Sequence, residues 1–119
     1  MQKQLWARLL NARCKMDSES YEKLVTGLRQ KATPQVTTES GFRQTFFFVD
    51  RDHHGGTTDV FSMTLYDTEE DLNKAMETAD SEFRRKMLGN LGCYATEART
   101  FNVVAGAINP DAPEVDLRS

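Results

Sequence analysis

The chain has 119 residues, of which 39% are apolar, 28% charged and 9% aromatic, and this is the composition of one soluble globular domain. Fifteen Lys and Arg residues against eighteen Asp and Glu residues give a net charge of −3, which disfavours nucleic acid and anionic membranes as partners. We recognise no secretory leader and no run of about 18 apolar residues, and we expect a cytoplasmic protein. In that reducing compartment Cys14 and Cys93 are expected to pack as small apolar groups rather than to form a disulfide.

The first predicted elements are a strand over residues 4–14 and a helix from about Ser18 to Lys31. The strand is indicated by side chains that alternate between two parities along this stretch. The helix is indicated by apolar residues at the i, i+3, i+4, i+7 spacing, namely Tyr21, Leu24, Val25 and Leu28. Pro34 disfavours helical backbone at the residue before it, so residues 33–41 are predicted to form a loop.

The middle of the chain predicts a β-hairpin. Residues 42–50 are apolar on both parities, which favours a strand covered on both faces. After a turn-rich stretch at residues 51–57, alternation returns over residues 60–66. His53 and His54 are adjacent in the turn, so their side chains diverge, and no other His or Cys lies nearby at metal-ligand spacing. We therefore predict no metal site.

A second helix and a last strand complete the predicted domain. The helix spans about Thr68 to Leu88 and ends before two glycines, and the strand spans residues 94–105. The apolar stripe of the helix consists of Leu72, Met76, Ala79, Phe83 and Met87. Residues 106–119 lack periodicity, so we expect one domain over residues 1–105 followed by a flexible or partner-embracing tail.

The predicted order is β-α-β-β-α-β, which specifies a ferredoxin-like α+β fold with a four-stranded antiparallel sheet and two helices on one face. In this topology the first strand is central and the fourth lies beside it, so Cys14 and Cys93 become candidate neighbours. The second sheet face carries apolar side chains, and we expect a second copy of the chain to cover it in a homodimer.

Three segments carry a family resemblance. They are Trp6-Ala7-Arg8, then Gly41-Phe42-Arg43 leading into residues 46–51, and the crossing from strand to helix over residues 63–72. Over about residues 4–105 the chain resembles the antibiotic-biosynthesis-monooxygenase-like family of dimeric α+β barrels. The resemblance implies that two protomers press their sheets together, with a small-molecule site in each protomer between sheet and helices.

The family includes cofactor-independent oxygenases of aromatic polyketides, haem-degrading oxygenases, isomerases and proteins without known activity. The haem-degrading branch uses an Asn late in the first strand, a Trp at the end of the third, and a His ligand ten residues beyond that Trp. By this resemblance, Asn11, Tyr66 and Met76 occupy the corresponding positions in this chain. Because the imidazole ligand is replaced by a thioether, haem degradation is disfavoured, and we predict no cofactor.

A cofactor-independent oxygenase requires an apolar pocket and a few polar groups that bind a phenolic or enolic oxygen. Asn11, Tyr66 and Arg8 are the candidate catalytic residues, able to supply an amide, a phenol and a guanidinium. Strand alternation separates Asn11 from Tyr66 unless a strand bulges, so one of the two can face away from the cleft. The sequence therefore predicts a monooxygenase acting on a small aromatic or quinonoid compound. The alternative is a non-catalytic small-molecule-binding or stress-response protein, with Asn11 and Tyr66 in structural roles.

Overall fold

A computed structural model describes residues 4–52, 55–78 and 82–117. The elements follow the predicted β-α-β-β-α-β order; the first helical region has three segments, and the second is described on either side of residues 79–81. Their bounds are β1 Leu5–Lys15, α1 Ser18–Gly27, a π-helical turn Leu28–Ala32, α2 Thr33–Thr37, β2 Phe42–Val49, β3 Thr57–Tyr66, α3 Glu69–Thr78, α4 Glu82–Asn90 and β4 Cys93–Val103. His53, His54 and Ala79 lie outside the described residues.

The four strands form one antiparallel sheet in the order β2-β3-β1-β4. This confirms the predicted ferredoxin-like fold with β1 at the centre. Trp6 pairs with Tyr66 and Arg8 pairs with Thr64. Residues directly opposite each other share a sheet face, so the even-numbered side chains of β1 and β3 point together. The strict alternation of burial along β3 shows that this is the face covered by the helices.

The first helical region extends further than predicted, because residues 33–37 are helical rather than part of a loop. The π-helical turn explains the difference. At its end the backbone N–H of Thr33 donates to the carbonyl of Leu28, and the Thr33 hydroxyl donates to the same oxygen over 2.8 Å. Pro34 then lies in the first turn of a new α-helical segment, where its missing N–H leaves no hydrogen bond unmade.

The main apolar core lies between the sheet and the helices. It joins the covered face of β1 and β3 to α1, the π-helical turn and α4. Its buried members are Ala12, Cys14, Met16, Leu24, Leu28, Ala32, Val60, Leu88, Leu91 and Cys93. A second cluster consists of Tyr66, Leu72 and Ala75, against which Trp6, Phe42 and Met76 pack. Met76, at the position of the haem ligand in the resemblance, is thus a packing residue of this cluster.

Cys14 and Cys93 are directly paired across β1 and β4 and form a disulfide, with their Cα atoms 4.1 Å apart. The expectation that they are neighbours is confirmed, and the expectation that they remain free thiols is wrong. The free-thiol expectation rested on the redox state of a compartment. The strand register places the two side chains on the same face, within bonding distance, in the main core.

The opposite sheet face is not covered by any element of the described chain. Phe46 and Phe48 of β2 lie on it with Met63 of β3, and Phe48 is 49% exposed. In the described chain, helices cover β2 only on the face of Phe47 and Val49. The prediction that β2 is covered on both faces is therefore not met within one chain. No described helix is long and apolar enough to cross a membrane.

Candidate functional site

A cavity of about 300 Å³ lies between the helix-facing side of the sheet and the helices. β1, β2, the π-helical turn and α4 supply most of its apolar wall. The apolar residues that line it include Leu10, Ala12, Leu28, Phe47, Met87 and Leu88. A mainly apolar cavity at the lower end of the size range of ligand sites suits a compound of one or two rings.

Arg8 and Glu39 form a charged group in the cavity wall. Arg8 Nη1 donates to Glu39 Oε2 and Arg8 Nη2 donates to Glu39 Oε1, both over 3.0 Å. Arg8 Nη1 also donates to the Ala75 carbonyl, 3.1 Å away in the last turn of α3. Such a two-point pair is among the stronger charged contacts, and it engages both terminal nitrogens of a guanidinium that would otherwise be costly to bury.

Tyr66 supports this pair from the core side. Its hydroxyl donates to Glu39 Oε1 over 2.9 Å, and the Arg8 guanidinium carbon lies 5.6 Å from the centre of its ring. Burial raises the pKa of the Tyr66 phenol above its ordinary value; the Arg8 charge opposes this, and the Glu39 charge adds to it. Tyr66 therefore stays a neutral hydrogen-bond donor. It is fully buried and does not line the cavity.

The structure brings Arg8 and Tyr66 together and separates both from Asn11. Asn11 is an odd-numbered residue of β1, pairs with Phe61 and Glu97, and lies on the open sheet face. A bulge follows it in the pairing with β4, where the Thr96 hydroxyl donates to the Asn11 backbone carbonyl. In the described part of the chain, the buried Asn11 Oδ1 has no hydrogen-bond partner.

Glu39 was missed by the reasoning from sequence. It follows α2 in a segment predicted to be a loop, and its backbone N–H donates to the Val36 carbonyl over 3.0 Å. The continuation of the helix through Pro34 places it beneath the sheet, 31 residues along the chain from Arg8. An arginine in an apolar strand signals that a carboxylate partner is required. The sequence has eighteen acidic residues and does not identify which one.

The chemistry of the site follows from this pairing. Arg8 and Glu39 cancel each other's charge, so the pair offers a ligand directional hydrogen bonding rather than a net charge. The Arg8 side chain is 4% exposed and that of Glu39 is 17% exposed. Glu39 is therefore the member of the pair that is more open to a molecule in the cavity.

Several solved structures have the same fold as this chain. A dimeric ferredoxin-like protein from an uncultured marine organism is 11% identical with a TM-score of 0.62, covering 87% of this chain and 99% of its own. A Bacillus cereus protein, provisionally assigned as an antibiotic-biosynthesis monooxygenase, is 14% identical with a TM-score of 0.57, covering 88% and 98%. SnoaB, a cofactor-independent oxygenase from Streptomyces nogalater, is 9% identical with a TM-score of 0.51, covering 89% and 98%.

No family model matches the chain, and no curated protein matches its sequence. At these identities the similarity to solved structures establishes the fold. The resemblance noted in the sequence is confirmed at that level: the chain has the fold of antibiotic-biosynthesis-monooxygenase-like and dimeric ferredoxin-like proteins.

Proposed function

We propose that this protein binds a small aromatic or quinonoid compound in the cavity between sheet and helices and oxygenates it without a cofactor. The observation that carries the proposal is an apolar cavity of about 300 Å³ whose wall contains the part-buried Arg8–Glu39 pair. Apolar walls select a flat hydrocarbon body, and the polar pair orients its oxygen substituent. The oxygenase fold of SnoaB adds support.

The reaction that fits such a site has a balance that requires no external reductant. A phenol and dioxygen yield a quinone and water: one oxygen atom enters the ring, and the other leaves as water with two hydrogens from the substrate. The substrate itself supplies all four electrons. The chain's part is to exclude water and to orient the phenol oxygen against the Arg8–Glu39 pair.

The three predicted catalytic residues receive different parts in this proposal. Arg8 remains at the cavity, where it contacts the ligand or holds Glu39 against it. Tyr66 is a positioning residue that acts through Glu39. Asn11 lies on the other face and is proposed to meet the second copy of the chain rather than the substrate.

Oxygen uptake measured with hydroquinones and naphthols tests the catalytic proposal. We expect uptake that depends on both protein and phenol and gives a quinone with one added oxygen atom. The double variant Arg8→Met/Glu39→Leu should abolish it, whereas Glu22→Gln, an acid-to-amide change on the exposed surface of α1, should not. Uptake no faster than that of the phenol alone would contradict the proposal.

A non-catalytic small-molecule-binding protein is the second candidate. It is favoured by the burial of Tyr66 outside the cavity wall and by the position of Asn11 on the opposite face, since both reduce the polar groups available for chemistry. Ligand binding without turnover, and unchanged by Tyr66→Phe, would support this candidate.

We propose a homodimer formed through the open sheet face. The half-buried ring of Phe46 and the exposed ring of Phe48, with centroids 6.1 Å apart, lie beside Met63 there, and such a patch favours a self-complementary partner. Similar structures are described as dimeric. Sedimentation at micromolar concentration should give a dimer that Phe48→Lys weakens, and a wild-type monomer would contradict the packing.

We also propose a cytoplasmic location and a domain boundary after residue 105. Beyond this boundary, Ile108 is 90% and Val115 is 73% exposed, so deleting residues 106–119 should leave a folded domain. Loss of the cooperative unfolding transition would contradict the boundary.

In the cytoplasm the thiol pool would keep Cys14 and Cys93 reduced. Thiol labelling under denaturing conditions, after rapid acid quenching of the cells, tests the location, and a pair recovered as a disulfide would contradict it.

A further inference from the structure

Glu39 has hydrogen-bonding capacity that the described fold does not use. A carboxylate offers about four lone-pair positions, two on each oxygen. Oε1 accepts from Arg8 Nη2 and from the Tyr66 hydroxyl. Within residues 4–52, 55–78 and 82–117, Oε2 accepts only from Arg8 Nη1. One acceptor position therefore remains, on a residue that lines the cavity.

The other member of the pair has much less to offer. Both hydrogens of Arg8 Nη1 are taken, by Glu39 and by the Ala75 carbonyl, and Nη2 donates one of its two hydrogens to Glu39 Oε1. The Arg8 side chain is 4% exposed, against 17% for that of Glu39. Arg8 Nε has no partner among the described residues, but it is sealed from solvent, so a ligand atom cannot reach it without displacing other groups. Glu39, the more exposed member of the pair, therefore presents a hydrogen-bond acceptor to the cavity.

Resting on the proposed function, we propose that Glu39 determines which oxygen substituent the cavity accepts. Glu39 Oε2 accepts a hydrogen bond from a ligand hydroxyl, so the site selects uncharged phenols and hydroquinones. It discriminates against quinone carbonyls, which lack a donor, and against aromatic carboxylates, which place a second negative charge beside Glu39. The cavity would accordingly bind the reduced compound more tightly than its oxidised product.

The expected difference in affinity follows from the hydrogen bond to Glu39 that a ligand without a donor cannot form. A hydrogen bond to a charged group contributes about 1.5–3 kcal/mol, which corresponds to about 10- to 150-fold in affinity. A ligand of the same shape with no donor fills the cavity but removes water from Oε2 without replacing it. Because an alkyl group is otherwise more favourable than a hydroxyl in an apolar cavity, a preference for the hydroxyl identifies the hydrogen bond.

Three probes of similar shape test the inference by calorimetric titration of the full-length protein. They are 1-naphthol, 1-methylnaphthalene and 1-naphthoate. We expect 1-naphthol to bind at least about tenfold more tightly than 1-methylnaphthalene, and 1-naphthoate to bind most weakly. Glu39→Gln should remove the hydroxyl preference, because the amide oxygen is held by Arg8 and the amide nitrogen donates. Glu22→Gln should retain the preference.

Each other outcome identifies which claim fails. If 1-methylnaphthalene binds as tightly as 1-naphthol, the role of Glu39 is refuted while the cavity remains a ligand site. Tightest binding of 1-naphthoate would also refute it, and would assign the recognition to Arg8 or to Arg84, which also lines the cavity. Failure of all three probes to bind would overturn the proposed function as well. Should Glu39→Gln not fold, the wild-type series alone decides the question.

Discussion

Reduction of the disulfide between Cys14 and Cys93 should cause a large and calculable loss of stability. The bond joins residues separated by 79 positions and so closes most of the chain into one loop. In the chain-entropy account, a loop of this length in the unfolded state is worth about 4.5 kcal/mol near room temperature. A small domain has about 5–15 kcal/mol in total, so reduction should remove between about a third and nine-tenths of the stability.

The assay is urea unfolding of the oxidised protein with and without a phosphine reductant, at one protein concentration because a dimer unfolds in a concentration-dependent way. We expect the free energy of unfolding to fall by about 4 kcal/mol on reduction. The variant Cys14→Ala/Cys93→Ala should be insensitive to the reductant. A wild-type change below about 1 kcal/mol would show that the bond does not constrain the unfolded chain as the chain-entropy account requires.

Three further perturbations test individual contacts. Arg8→Met should cost up to about 3–5 kcal/mol in urea unfolding because it leaves the part-buried Glu39 carboxylate without its charged partner, and adding Glu39→Leu should recover most of this loss; equal losses in both variants would contradict a coupled pair. Gly41→Ala should destabilise by more than Gly55→Ala, although both glycines have positive φ (72° and 61°), because only at Gly41 would the new Cβ overlap a neighbour, the Asp71 carboxylate. Hydroxyl hydrogen bonds lower the pKa of Asp71 in the folded state, so its stabilisation is present above the unfolded-state pKa and lost as pH falls through the folded one. Asp71→Asn should flatten the stability–pH curve below about pH 4, and an unchanged acid limb would contradict this role.

Much of the fold could be predicted because it depends on local patterns. Period-two alternation in β1 and β3 predicted which side chains share a face of the sheet. The same alternation implied that Asn11 and Tyr66 point to opposite faces. The length of the first helical region was underestimated because Pro34 was assumed to end a regular α-helix. A π-helical turn changes the hydrogen-bond register just before it, and no periodicity in the sequence signals that turn.

The polar centre of the site could be predicted only in part. Arg8 was identified as a guanidinium able to bind a phenolic oxygen, and Tyr66 as a phenol at the position where the resembled family carries a Trp. Glu39 was not, because the contact with Arg8 is formed by tertiary packing across 31 residues. The disulfide was missed for a different reason: the topology already placed Cys14 beside Cys93, but a reducing compartment was assumed, and free thiols were therefore expected.

Methyl NMR with 1-naphthol tests the central claim most directly, namely that a ligand binds between sheet and helices. Leu10 and Met87 line the cavity, whereas Leu9 and Met63 lie on the open sheet face. Adjacent residues of the same type, Leu9 and Leu10, thus report on opposite faces of β1. We predict ring-current shifts at Leu10 and Met87 with Leu9 and Met63 unchanged. Shifts confined to Leu9 and Met63 would place the ligand on the open face and contradict the account.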